Sequence, residues 1–234
     1  MLAMLAILAM LAMRFGALGD IHGDFEGTRR VMLQHPDITF WLCVGDVADS
    51  EGRYEALPSP LHWIKGNNEN FDAIDAGVFP VNLNYLPNGR AAEIGGLRVA
   101  GLGGTFAPSW YDTPASTLPH PRKGSAKATG LADKRRHFVR EEVEACRQLV
   151  DVDVLLTHEA PRPYFAGTGA RRNDAGKTPV NEILSAMRPR LHLFGHHHRF
   201  TEQERQGVRS IGLDLVGQSY LLIDARSLEY DRQQ

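Results

Sequence analysis

Apolar runs of strand length recur along this chain, and five of them end at a glycine or threonine followed at once by Asp, His or Asn. The five blocks are Gly19-Asp20-Ile21-His22, Gly45-Asp46-Val47-Ala48-Asp49, Gly66-Asn67-Asn68-Glu69, Thr157-His158-Glu159 and Gly195-His196-His197-His198. Continuous apolar runs suit strands buried on both faces, as in parallel sheets. Residues 15–19 read as a first strand, followed by a helix over 25–34 that stops near Pro36. Residues 38–44 form a second strand feeding Gly45-Asp46. A short helix is expected over 50–56, before Pro58 and Pro60, and then a strand over 62–65 ending at Gly66-Asn67. Strand, loop and helix repeated in this order are the doubly wound α/β pattern, which places functional loops at strand C-termini. The polar residues of the five blocks should therefore collect along one edge of a sheet.

Further along, residues 91–94 and 97–102 read as a hairpin around Gly95-Gly96. Residues 103–130, rich in Pro, Ser, Thr and Gly, form a long irregular loop of the kind that usually carries function. Over 131–150, Val139, Val143, Cys146 and Val150 share one helical face. A strand over 152–156 leads into Thr157-His158, and 167–177 is a second polar loop. A helix over 179–187 carries Pro179 in its first turn, and a strand over 191–194 ends at Gly195-His196. Runs at 208–213 and 220–223 read as two antiparallel strands. Nothing resembles a domain-scale linker, so the expectation is one domain over 14–234 preceded by an apolar extension over 1–13.

The 234 residues, 43% of them hydrophobic, can bury a substantial core without disulfide staples. A net charge of -2 gives no chain-wide basic field to attract nucleic acid. Cys43 lies in an apolar strand and Cys146 on an apolar helix face, as expected of buried thiols in a reducing compartment, hence a cytoplasmic protein. Residues 1–13 repeat a Leu-Ala-Met triplet with no charge. They lack the basic region of a secretory signal and are too short for a bilayer core of about 30 Å, so no stable membrane insertion is expected. They are either translated upstream of a true start at Met13, a short apolar helix docked on a neighbour or a membrane surface, or a signal-like segment.

Taken singly, each block is an ordinary turn or helix cap. Taken together they offer Asp20, His22, Asp46, Asn67, His158, His196 and His198. Mixed oxygen and imidazole donors suit Mn²⁺, Fe²⁺ or Zn²⁺ better than Ca²⁺. In an extended segment alternate side chains share a face, so His196 and His198 should reach the cluster while His197 points elsewhere. A carboxylate shared by two divalent ions is a device for activating water against phosphate, which implies a phosphoester hydrolase.

With Asp20-x-His22, Gly45-Asp46-x-x-Asp49, Gly66-Asn67-x-Glu69, the isolated His158 and Gly195-His196-x-His198, the chain resembles the calcineurin-like metallophosphoesterase family over 14–224. Leu86-Pro87-Asn88-Gly89 and residues 101–104 are similar to small prokaryotic members. Residues 158–161 and the two long loops carry a fainter similarity to lariat-RNA debranching enzymes. The resemblance implies an α/β fold: a four-layer α/β/β/α sandwich of two mixed sheets with a dimetal site at the strand C-terminal edge. It also implies two divalent ions, one held by Asp20, His22, Asp46 and His198, the other by Asp46, Asn67, His158 and His196, with Asp46 bridging. A hydroxide shared by the two ions would attack phosphorus in line.

One position departs from the family's pattern. Many members carry His directly after the metal-binding Asn, where it contacts phosphate and protonates the leaving group, and here Asn68 stands in its place. An amide donates a hydrogen bond to a phosphoryl oxygen but delivers no proton at neutral pH. Asn68 is therefore either a weakened catalytic group or simply a cap for the following helix.

For the substrate, residues 121–140 hold seven basic side chains against one acid, Asp133. Arg162, Arg171, Arg172 and Lys177 follow His158. If both segments border the site they form a basic rim suited to a nucleotide or nucleic acid, on which Trp110 and Tyr111 could stack; the alternative is a solvated charged face. Phosphodiesters are modestly favoured. The competing readings are a protein Ser/Thr phosphatase, a phosphomonoesterase acting on a phosphorylated small molecule, and a non-catalytic metal-binding scaffold on the same fold.

Overall fold

Alternation along the strands decides the layering. In β1 (Arg14–Leu18) Phe15 and Ala17 face one side and Leu18 the other, while in β2 (Trp41–Cys43) Leu42 opposes Trp41 and Cys43. All six are buried, so each face of this sheet must be covered. The computed structural model describes residues 13–121, 132–166 and 173–234. Within them β1 and β2 join β3 (Leu61–Trp63), β4 (Leu83–Tyr85), β15 (Tyr220–Asp224) and β16 (Tyr230–Gln233) in a six-stranded sheet of order β16-β15-β1-β2-β3-β4. From β1 to β4 the pairing is parallel, and β15 and β16 add antiparallel edges.

A second six-stranded sheet has the order β13-β14-β12-β9-β6-β5. It contains β5 (Ala91–Ile94), β6 (Leu97–Leu102), β9 (Val154–Thr157), β12 (Leu191–Phe194), β13 (Thr201–Arg205) and β14 (Val208–Gly212). Its inner strands β6, β9, β12 and β14 are parallel. Two short ribbons lie outside the main sheets: parallel β7 (Thr105–Phe106) with β8 (His137–Phe138), and antiparallel β10 (Phe165–Ala166) with β11 (Asn173–Asp174).

The central core lies between the sheets, where Phe15, Leu42, Val44 and Ile64 meet Val99, Val154, Leu156, Leu193 and Ile211. On the outer face of the first sheet α1 (Phe25–Gln34) packs Phe25, Val31 and Met32 against Trp41, Trp63 and Leu222, beside the short α2 (Phe71–Ala76). On the outer face of the second, α3 (Arg140–Arg147) and α4 (Thr178–Met187) pack Val143, Cys146, Val180, Ile183 and Leu184 against Leu102 and Leu155. This is the expected four-layer sandwich. Both cysteines are free and buried. Among the described residues no helix is long and apolar enough to cross a membrane. Of the apolar extension, residues 1–12 lie outside the described residues, and Met13 accepts a hydrogen bond from Ala225 N (2.8 Å).

Three expectations need correction. Residues 50–56 form no helix, because the Asp49 carboxylate accepts from Glu51 N (2.8 Å) and Arg53 N (2.9 Å) and closes a local turn instead. The helix expected over 131–150 is confined to α3: Val139 is its N-cap residue, and Val150 lies past its end, 64% exposed. The runs at 208–213 and 220–223 are not partners, since β14 and β15 belong to different sheets. Their antiparallel partners β13 and β16 are polar edge strands, Thr-Glu-Gln-Glu-Arg and Tyr-Asp-Arg-Gln, without the apolar signal of a buried strand.

His192, on β12, is wholly buried between the Thr157 (2.8 Å) and Ser210 (3.0 Å) hydroxyls, and burial pushes its pKa down to about 3. A pKa depressed on folding means that the unfolded chain binds the extra proton, so stability is lost as pH falls from about 6.5 toward 3. Between pH 7 and pH 5 this residue should account for about 2 kcal/mol of lost stability. Urea unfolding of His192→Gln at both pH values should show a drop smaller by that amount, and an unchanged drop would contradict the assignment.

Candidate metal centre

The five blocks follow β1, β2, β3, β9 and β12, and backbone bonds sew their loops together. Asp46 O accepts from Ile21 N (3.1 Å) and His22 N (2.7 Å), Gly195 N donates to His158 O (3.3 Å), and His196 N donates to the Asp20 carboxylate (3.2 Å). The packing requires glycine where it occurs. A Cβ on Gly45, whose φ is +108°, would lie 2.7 Å from Gly66 N and 2.9 Å from His158 Nδ1. At Gly195 it would lie 2.4 Å from Asp20 Oδ1.

His22 (φ 47°), Asp46 (52°), His196 (68°) and His198 (47°) all occupy the left-handed region. Each such residue costs on the order of 1–3 kcal/mol, and strain of this kind concentrates at functional sites. It also corrects the reasoning about the histidine run, which is not extended. Left-handed turns at 196 and 198, rather than strand alternation, bring those two rings to the cluster. His197 leaves it and stacks on Tyr164, ring centres 4.4 Å apart.

Asp20, Asp46, Asn67 and His158 are buried, His196 is half-buried, and His22 and His198 are exposed. The Asp46 carboxylate lies between two groups. Its Oδ2 is 3.6 Å from His22 Nε2, and its Oδ1 is 3.8 Å from His158 Nε2. On the open side His198 Nε2 lies 3.0 Å from Asp20 Oδ2 and 3.1 Å from His22 Nε2. On the closed side the His158 and His196 rings are 4.9 Å apart. Ligand-competent atoms of Asp20, His22 and His198, and of Asp20, Asp46 and His158, lie within 4.8 Å of one another in each group.

Two features show that these groups fit cations. His158 Nδ1 faces the Val44 carbonyl (2.8 Å), which can only accept, so this nitrogen carries the proton. Its Nε2 faces Asn67 Oδ1 (3.1 Å), an oxygen that either a proton on Nε2 or a cation held between the two groups would satisfy. Burial pulls the His158 pKa down, but Asp46 and Asp20 more than offset it and hold it above its ordinary value. Conversely, burial and then the neighbouring His158 push His196 down to about 4, leaving a neutral imidazole free to ligate.

Asn68 does not cap α2. That cap is Asn70, whose side chain accepts from Ala73 N (3.0 Å). Asn68 instead donates its backbone N–H to Asp46 Oδ1 (2.7 Å) and its amide to Oδ2 (2.7 Å). Glu69, to which no role was given from the sequence, accepts from Val47 N (3.0 Å), Ala48 N (3.2 Å), Gly66 N (3.2 Å) and the Tyr54 hydroxyl (2.9 Å). It thus ties the loop after β2 to the loop after β3, and its position two residues beyond Asn67 was the only available signal. Burial and then Asp46 push its pKa up to about 7.

The remaining sequence-predicted residues are more scattered. Arg171 and Arg172 lie outside the described residues, as do Arg122, Lys123 and Lys127. Trp110 is half-buried with the Lys134 ammonium 5.8 Å from its ring centre. Tyr111 cannot offer a face to a base: it is 7% exposed, packed against Phe106 and Phe138 and covered by Arg140. Much of the basic rim is neutralised, Arg135 by Asp72, Asp75 and Asp133, Arg140 by Asp112 and Arg162 by Asp174.

Glu69→Gln sets an amide N–H₂ against backbone donors, and each buried group left unsatisfied costs about 1–3 kcal/mol. The variant should melt roughly 2–10 °C lower and bind Mn²⁺ more weakly; unchanged melting would contradict the role given to Glu69.

The sequence model of the calcineurin-like phosphoesterase family matches residues 13–200. A lariat debranching enzyme of Schizosaccharomyces pombe is 25% identical over 206 residues, covering 77% of this chain and 42% of that enzyme. The chain thus spans less than half the length of this curated relative. Among solved structures, a Thermus thermophilus protein superposes with a TM-score of 0.64 at 14% identity, covering 95% of this chain and 99% of the other. A dimetal phosphatase from Danio rerio gives 0.56 at 12% identity, covering 94% and 98%. These two likenesses show a shared fold. The match over 13–200 takes in all five blocks, and this chain belongs to the calcineurin-like phosphoesterase family of metal-dependent phosphoric ester hydrolases.

Proposed function

We propose that this protein hydrolyses phosphodiesters with two divalent ions, Mn²⁺, Fe²⁺ or Zn²⁺, held by Asp20, His22, Asp46 and His198 on one side and by Asp46, Asn67, His158 and His196 on the other. The observation that carries this reading is the Asp46 carboxylate, each of whose oxygens faces a different histidine. When bound, such a pair lowers the pKa of a shared water toward ~7 and neutralises charge on the phosphoryl oxygens. Asn67 contributes a neutral oxygen and so preserves positive charge for an anionic substrate. The Val44 carbonyl fixes the His158 tautomer. Diesters are favoured by the open flank, where His22 and His198 expose 34% and 42% of their side chains and leave room for a second ester group. Partial similarity to a lariat debranching enzyme supports a nucleotide or nucleic acid substrate, with Trp110, Arg171 and Arg172 as its further contacts.

Asn68 serves catalysis by holding Asp46 rather than by giving up a proton. Leaving groups that need protonation should therefore react slowly. Buried free thiols support a cytoplasmic site of action, and the unit that acts is the domain over 14–234, with 1–13 as an accessory extension.

Hydrolysis of bis(p-nitrophenyl) phosphate beside p-nitrophenyl phosphate in Mn²⁺ tests the preference: the diester should turn over faster, and a faster monoester would refute it. In Asn68→His, alkyl esters should gain about tenfold or more over aryl esters, as befits an added general acid. Equal effects on both would remove the leaving-group account.

A further inference from the structure

Behind the metal centre, a chain of three buried polar side chains ends on the turn that carries His158. Thr157, His192 and Ser210 lie on β9, β12 and β14, three adjacent parallel strands, and all are wholly buried. His192 stands opposite Ser210 on one side and Leu155 on the other, and Thr157 shares the face of Leu155. That face turns outward, where Leu155 clusters with Val180 and Ile183 of α4. Enclosed there, none of the three side chains touches a substrate.

The proton positions follow from the acceptors. Glu159 O lies 2.6 Å from the Thr157 hydroxyl and can only accept, so Thr157 donates to it. The Thr157 oxygen then accepts from His192 Nε2 (2.8 Å), which makes His192 the Nε2–H tautomer. Burial keeps that ring neutral, so its Nδ1 accepts from the Ser210 hydroxyl (3.0 Å). The other acceptor for that hydroxyl, Val208 O, is more distant at 3.4 Å. The bonds thus run in one direction, from Ser210 through His192 and Thr157 to the carbonyl of Glu159. His158 sits between the two residues that this last bond joins. Its backbone is held at N by Leu102 O (3.2 Å) and at O by Gly195 N (3.3 Å), and its ring donates to Val44 O (2.8 Å). The Glu159 carboxylate accepts from Phe106 N (3.1 Å) and anchors the far end of the turn.

We propose that Thr157 and His192 are positioning residues for His158, their hydrogen-bonded chain locking the turn on which its imidazole faces Asp46 and Asn67. The catalytic meaning of this role rests on the dimetal reading, in which only the ion on the His158 side depends on the chain. Groups behind a ligating histidine change metal affinity by about tenfold to a hundredfold.

The test compares wild type with Thr157→Val and His192→Leu, which break the chain. Thr157→Ser and His192→Gln keep a hydroxyl or an N–H donor in it. The first readout uses metal-free protein carrying isotope-labelled histidine, in which the His158 Nδ1–H is identified by its loss in His158→Ala. That proton should exchange with solvent about tenfold faster in the two broken variants, through more frequent local opening. The second readout is stepwise Mn²⁺ binding. One ion should bind as in wild type and the other about tenfold to a hundredfold more weakly, with the Ser and Gln variants close to wild type. Unchanged exchange of the ring proton would overturn the proposal. Equal weakening of both ions would also overturn it, since that marks a general loss of structure. The two breaks are independent, so a variant that fails to fold leaves the other to decide. If wild type bound a single ion, the dimetal reading would fall, while faster exchange of the His158 proton would still establish the positioning.

Discussion

Everything at this site depends on where Asp46 puts its two carboxylate oxygens. Each faces a different imidazole, and each also takes a hydrogen bond from Asn68. Burial alone would raise the pKa of this carboxyl. His158 and the two Asn68 donors outweigh that and hold it below the ordinary range. The result is a carboxylate that stays ionised while almost wholly removed from water. That is the condition for one group to serve two cations at once.

The rest of the fold supplies rigidity around that point. Two parallel sheet segments end at the same rim, the loops leaving them share backbone hydrogen bonds, and glycines allow the chains to approach within contact distance. Four ligand candidates adopt left-handed backbone conformations that a free chain would avoid. The strain is sustained by the apolar cores on either face of each sheet and by Glu69, which gathers three backbone amides from two loops. Shape and charge are set before any substrate arrives, as preorganised electrostatic catalysis requires.

Much of this was legible in the sequence because the signals were local. Each block directly follows an apolar strand, and α1 spans Phe25–Gln34 as expected, stopping just before Pro36. What was not legible depended on partners distant in sequence. Counting charges over 121–140 could not reveal that Arg135 and Arg140 meet acids from α2 and from the loop after β7. The edge strands β13 and β16 escaped notice because solvent on one side removes the hydrophobic pattern. The rings of His196 and His198 meet the other candidate ligands by a route that spacing does not encode, since a left-handed turn at a histidine leaves only a weak residue-type preference in the sequence.

The central claim is that one carboxylate joins two cations. Metal analysis after equilibrium dialysis against Mn²⁺, combined with electron paramagnetic resonance of the loaded protein, tests it most directly. Two ions per chain with a spin-coupled spectrum are expected, because ions sharing a carboxylate lie about 3.5–4 Å apart. Asp46→Asn should lose the coupling. One ion per chain, or two ions with the spectrum of isolated Mn²⁺, would contradict the account.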